Sequence, residues 1–148
     1  MGTSLRIEVF SADLAATADF YARVLGFTVV RDERAAASPY LALARDAVLV
    51  GAVLVGAAAR PAVADPAARR PPTGVELVLE VDDLAAERAR VADAGWPVLA
   101  EVARRPWGLR DFRLLAPDGY FLRITERGRE LVGAAGSCRR VTSRRVCR

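Results

Sequence analysis

Two stretches of the chain repeat one another, and that duplication limits the folds open to it more than any other feature. Residues 5–16 and 75–86 align at an offset of 70 positions. Each begins with aliphatic side chains at alternate places: Leu5, Ile7 and Val9 in the first copy, and Val75, Leu77, Leu79 and Val81 in the second. That is the spacing of a strand with one buried face. Each copy then reaches an aspartate, Asp13 or Asp83, followed by Leu-Ala-Ala. A carboxylate at that place can accept the free backbone N–H groups of a helix start. The helices that follow are marked by Leu14, Ala18, Tyr21 and Leu25 in one copy and by Leu84, Arg88 and Val91 in the other. Gly26 and Gly95 stand where a left-handed cap ends a helix.

Each helix is followed by an extended piece, residues 27–30 and 96–99, and then by a hairpin. The second hairpin is sharply drawn, with residues 112–115 and 120–125 flanking the turn Ala116-Pro117-Asp118-Gly119. The first is looser: residues 40–44, then Arg45-Asp46, then 47–54. The chain therefore predicts an α+β fold of two tandem βαβββ modules. Residues 1–58 form the first module, 59–74 an Ala-, Pro- and Arg-rich linker, 75–126 the second module and 127–148 a basic tail.

Two absences exclude whole classes of chemistry. With no histidine, the chain lacks the usual base near neutral pH, the triads built on it and the commonest neutral metal ligand. With no lysine, it lacks Schiff-base chemistry and the phosphate-cradling GK[ST] loop. The formal charge of +4 is unevenly spread: the tail holds seven arginines against one glutamate, which leaves the rest at −2. A slightly acidic body argues against a nucleic-acid-binding domain. The longest uncharged stretch, 47–59, is interrupted by Gly51 and Gly56. At about 20 Å as a helix it falls short of a bilayer core of about 30 Å, so no membrane span is expected. Without a signal-peptide pattern at residues 1–8, a cytoplasmic setting is expected. Cys138 and Cys147 lie in the tail and, without histidine, make neither a metal site nor an expected disulfide.

The segment Asp13-Leu-Ala-Ala-Thr-Ala-Asp-Phe-Tyr21, with Leu25-Gly-Phe27 after it, resembles the vicinal oxygen chelate superfamily. This is the glyoxalase, bleomycin-resistance and dioxygenase group. The second half is closer still, in residues 105–113 and in Pro117-Asp-Gly-Tyr-Phe-Leu-Arg-Ile-Thr-Glu126, which looks like the end of bleomycin-resistance-type proteins. The resemblance covers residues 4–126. It implies two modules that curl around a small-molecule cleft, often within a homodimer. In metal-dependent members, four ligands come from the first and last strands of each half. Carried onto this chain, those places are Arg6, Gly51, Glu76 and Arg123, with Gly51 placed by matching Asp46 to Asp118. Only Glu76 could bind a divalent cation, because arginine stays protonated and glycine offers no side chain. No metal and no other cofactor is expected.

Strand alternation then assigns the cleft. With Ile7 and Val9 toward the helix, Arg6, Glu8 and Phe10 face inward; Glu76, Val78, Glu80, Asp111, Arg113, Phe121, Arg123 and Thr125 do so from the second half. Trp107 either stacks on a ligand or packs at the rim, and Tyr40 either lines the cleft or covers an edge. Phe10 and Phe121 read as floor or core. An ion pair of Arg6 with Glu76 would fill the place of a metal. An acidic pocket with aromatic walls suits a cationic or partly planar ligand. The expected function is small-molecule binding, of the kind that sequesters an antibiotic. The alternative is a metal-independent lyase or isomerase with Glu8 or Glu76 as general base.

Overall fold

The computed structural model describes residues 5–54 and 75–127. Helix-start aspartates, glycine caps and alternating strands appear where the repeat predicts them. The first module runs β1 (Arg6–Ser11), α1 (Leu14–Asp19), β2 (Thr28–Glu33), β3 (Tyr40–Arg45) and β4 (Val48–Leu54). The second runs β5 (Glu76–Val81), α2 (Leu84–Asp93), β6 (Ala100–Arg104), β7 (Arg110–Leu115) and β8 (Phe121–Glu126). Each module forms a four-stranded sheet of the same order, β1-β4-β3-β2 and β5-β8-β7-β6. In both, the first and last strands run parallel and the remaining pairs antiparallel. The fold is α+β, two βαβββ modules. The linker at 59–74, the tail from 128 and both cysteines lie outside the described residues.

The caps are local chemistry read correctly from sequence. Asp13 accepts from the backbone N–H of Ala15 and Ala16, at 2.8 and 3.1 Å, and Asp83 accepts from Ala86 at 2.9 Å. Gly26 and Gly95 take φ of +70° and +66°, where a side chain would be strained.

Three details depart from expectation, each for a tertiary reason. The first helix widens after Asp19 into a π-helical turn over Phe20–Val24, with Leu25 N–H donating to Phe20 C=O at 3.2 Å. This brings Phe20 and Val24 to the core beside Leu14, Ala18, Tyr21 and Leu25. The apolar stripe becomes a broad face because the helix is packed from two sides. Phe20 stacks against Trp96 of the other module, ring centroids 4.8 Å apart. In α2 the buried positions are Leu84, Glu87 and Val91, not Arg88, which reaches out to Glu101. Glu87 is tolerated inside because it meets Arg45 of the first module. The extended piece expected at 96–99 gives way to a strand that begins at Ala100. Trp96 is held instead by Phe20 and by its indole N–H, which donates to Leu115 C=O at 2.9 Å.

The modules share one core, to which Val9, Phe20, Leu43, Phe112, Leu122 and Ile124 contribute among others. Burying each such side chain stabilises the fold by about 1.5–3 kcal/mol. Polar ties complete the join: Phe10 N–H donates to Tyr120 Oη at 2.8 Å and Ala12 N–H to Asp118 Oδ1 at 2.9 Å. This core takes one face of each sheet. Among the described residues the other face carries no helix, and there the predicted site residues lie.

Candidate functional site

Strand alternation places the helix-free faces as the sequence predicts. In β1, Ile7 and Val9 join the core while Arg6, Glu8 and Phe10 turn the other way; in β5, Leu77, Leu79 and Val81 pack inward and Glu76, Val78 and Glu80 are exposed. The strand registers align the two modules position by position. Glu8 pairs with Gly51 in the first, and Val78 pairs with Arg123 in the second. Ala42 lies opposite Gly51, and Arg113 lies opposite Arg123. Tyr40 opposes Val53 as Asp111 opposes Thr125. Gly51 and Arg123 are therefore equivalent, as are Ala42 and Arg113, and Tyr40 and Asp111. This supports the register by which Gly51 was placed.

In the first module the face is built around Glu8. Arg6 Nε lies 2.7 Å from Glu8 Oε1, and Tyr40 Oη donates to the same oxygen at 3.2 Å. Burial first, and the Glu8 charge next, push the Tyr40 phenol above its ordinary pKa. The second oxygen, Glu8 Oε2, is enclosed and has no hydrogen bond. It lies over Gly51: a Cβ on that residue would collide with the Glu8 carboxylate and come within 2.5 Å of Tyr40 Oη. Gly51 is thus the space that the carboxylate fills. Tyr40 is therefore on the same face as Glu8 and in contact with it.

In the second module the acids are also matched with arginines. Arg123 Nε lies 3.5 Å from Glu76 Oε2. Asp111 is 0% exposed, with Arg105 Nε at 2.7 Å and Arg113 Nε at 3.5 Å from its Oδ1. Aromatic rings hold the other sides of two of these cations. The Arg123 guanidinium lies 5.6 Å from the Trp107 ring centre, and that of Arg113 lies 5.8 Å from Phe121. Trp107 remains 53% exposed.

These contacts correct three expectations. The ion pairs are Arg6–Glu8 and Glu76–Arg123, each within one module, in place of Arg6–Glu76. Asp111 is on the expected face but sealed beneath its arginines, so it acts on a ligand only through them. Thr125 is likewise buried, its hydroxyl donating to Arg110 C=O at 3.1 Å. Glu8, Glu76 and Asp111 are thus paired with arginines, while Glu80 is exposed and forms no ion pair among the described residues. Sequence reasoning missed Arg105, whose position on the loop carrying Trp107 was the available signal. It also missed the space between the modules. An apolar cavity of about 200 Å³ is lined there by Ile7, Tyr21, Leu77, Leu79 and Leu122 among others. A second, of about 260 Å³, includes Arg45, Asp46 and Glu80.

The model of the Glyoxalase/Bleomycin resistance protein/Dioxygenase superfamily matches residues 4–124. The chain belongs to this superfamily. Solved structures share its fold at low identity. TioX from Micromonospora sp. ML1 is 20% identical with a TM-score of 0.66, over 84% of this chain and 98% of that one. A superfamily member from Sphaerobacter thermophilus DSM 20745 is 20% identical with a TM-score of 0.65, over 86% and 98%. Lactoylglutathione lyase from Agrobacterium tumefaciens is 18% identical with a TM-score of 0.65, over 85% and 94%. No curated protein sequence matches.

By the resemblance, the places that would carry metal ligands in metal-dependent members fall on Arg6, Gly51, Glu76 and Arg123 here. This donor set does not fit a divalent cation. Two positions are permanently cationic, one has no side chain, and the single carboxylate is engaged by one of the arginines. Among the described residues, no group of three or more His, Cys, Asp or Glu side chains could hold a metal ion. Among those residues, too, no helix is long and apolar enough to cross a membrane.

Proposed function

We propose that this superfamily member binds a small organic molecule on its helix-free faces without the help of a metal ion, in the manner of the bleomycin-resistance branch, sequestering an antibiotic or similar aromatic compound. What supports the reading is the chemistry of the residues at the places that the resemblance assigns to metal ligands: arginines at two of them, and the Glu8 carboxylate lying over the glycine at a third. An exposed Trp107 beside Arg123 supports an aromatic ligand, since a flat ring and a guanidinium both favour stacking. Elemental analysis of the purified protein, paired with ligand titration in excess chelator, tests it. The expected result is no stoichiometric divalent ion and unchanged binding. A stoichiometric ion whose removal abolishes binding overturns the reading.

One observation favours catalysis as the second reading. The Glu8 carboxylate stands on this face, held in place by a hydroxyl and a guanidinium on Oε1, and would take a proton from a substrate that displaces one of those contacts. Glu76, with its single long contact to Arg123, is the weaker candidate base. Turnover that disappears in Glu8→Gln while binding persists would establish a metal-independent lyase or isomerase. A homodimer accords with the exposed Val29 and Val30 on the outer strand β2, Val102 on the outer strand β6 and Leu99 just before it. Sedimentation velocity distinguishes it from a monomer.

A further inference from the structure

Resting on the small-molecule reading, we infer that the second module's helix-free face selects an anion: it takes the carboxylate of a planar aromatic ligand on Arg113 and Arg123, with the ring against Trp107. The two arginines sit directly opposite one another across β7 and β8, an arrangement of like charges that weakens a sheet. The fold does not need them there. The first module builds the same ladder with Ala42 opposite Gly51.

Nor are the two guanidinium groups satisfied by their neighbours. Asp111 gives its short contact to Arg105, at 2.7 Å, and stands 3.5 Å from Arg113. Glu76 is equally distant from Arg123. The Nε atoms of both arginines are enclosed and make no hydrogen bond, and neither does Arg105 Nη2. Within this linked set, three arginines face two carboxylates. Glu80 lies one pleat further along, beside Thr125 rather than Arg123, and forms no ion pair among the described residues. The guanidinium carbons of Arg113 and Arg123 lie 5.8 and 5.6 Å from the ring centres of Phe121 and Trp107, a cation–π contact that uses none of their N–H donors. A carboxylate offers two acceptors at the spacing of a guanidinium edge. It would also relieve the repulsion between the two cations. A local violation of this kind, repeated in no equivalent position, is what a binding site predicts.

Calorimetric titration with three probes of one shape tests the inference: 2-naphthoate, 2-naphthamide and 2-naphthylmethylammonium. The expected result is that naphthoate binds about tenfold or more tightly than the other two. Arg113→Met and Arg123→Met each remove that preference by weakening naphthoate more than naphthamide, Arg123→Lys restores part of it, and Arg110→Met leaves it intact. Thermal denaturation of each variant checks that it folds. If naphthamide or the ammonium binds as well as naphthoate, or if the arginine variants keep the preference, the anion inference is overturned while the small-molecule reading stands. If none of the three binds, the inference fails and the reading loses this face as well.

Discussion

The two modules have the same strand order, matching registers and matching helix caps, yet their helix-free faces have been furnished differently. At equivalent positions the first carries Tyr40, Ala42 and Gly51, and the second Asp111, Arg113 and Arg123. The first face is a single carboxylate held by a phenol and an arginine over a bare glycine. The second is a layer of charge in which Asp111 and Glu76 each have an arginine, Glu80 has none among the described residues, and the Nε atoms of Arg113 and Arg123 make no hydrogen bond. Duplication fixes the backbone because both copies must solve the same packing problem. Side chains on the unpacked face are under no such obligation, and there the copies diverge.

The sharpest way to break the comparison is to remove one member of an equivalent pair. Asp111→Ala should destabilise by about 3 kcal/mol, because it strands Arg105 and Arg113 around an emptied, fully buried site. Tyr40→Phe removes one hydrogen bond from a partly open face, with an expected cost of about 1 kcal/mol or less. Urea denaturation of both variants measures the contrast. Equal losses would mean that Asp111 is no more embedded than its counterpart.

Next in size is Gly51→Leu, with an expected loss of about 2 kcal/mol from overpacking against Glu8 and Tyr40. The loss should shrink by half or more in the Glu8→Ala background, since the colliding carboxylate is then gone. Additive losses would show that something other than Glu8 sets the fit. The corresponding change in the second module, Arg123→Gly, creates no collision.

A smaller effect separates the modules at high pH. Tyr21 and Tyr40, both in the first module, have phenols pushed above the usual range: Tyr21 by burial and then by nearby Tyr120 and Asp118, and Tyr40 by burial and then by Glu8. A group kept neutral by the fold contributes stability that is intact below its unfolded pKa of about 10 and is lost as pH rises through the higher folded value. Stability should therefore fall on the alkaline side, and phenolate absorbance should appear late for these two residues. Tyr40→Phe should remove one late component. If all phenolate forms in a single step at the unfolded value, the enclosure of these residues is wrong.

How much of this was legible depended on range. The repeat, the Asp13 and Asp83 caps, the left-handed Gly26 and Gly95, and the hairpin around Asp118 are all set by neighbours within a few residues, and the chain displays them openly. Face assignment was legible too, because alternation is a property of any strand. Partner choice was not. Arg6 and Glu76 looked complementary by position, but Glu8 is the closer acid on Arg6's own strand, and Glu76 shares its sheet with Arg123. The burial of Asp111 depends on Arg105 reaching over from a loop, which no periodicity encodes. The late start of β6 depends on Trp96 being claimed by Phe20 from the other module.

The subtlest test bears on the arginines themselves. Two like charges directly opposed across a sheet cost a fraction of a kcal/mol to about 1 kcal/mol. Arg123→Met removes that repulsion but also leaves Glu76 without its partner. The pair stands at 3.5 Å with side chains 25% and 34% exposed, so solvent can take over much of what Arg123 supplied. The two changes oppose each other, and the expected net shift is within about 0.5 kcal/mol of zero. Salt decides between them: if repulsion is the larger part, the native protein gains stability as salt screens it, while the variant does not. Denaturation midpoints at low and high ionic strength measure both. A loss of several kcal/mol would make Arg123 a structural element like Asp111, and the two faces would then differ in packing rather than in what they are free to bind.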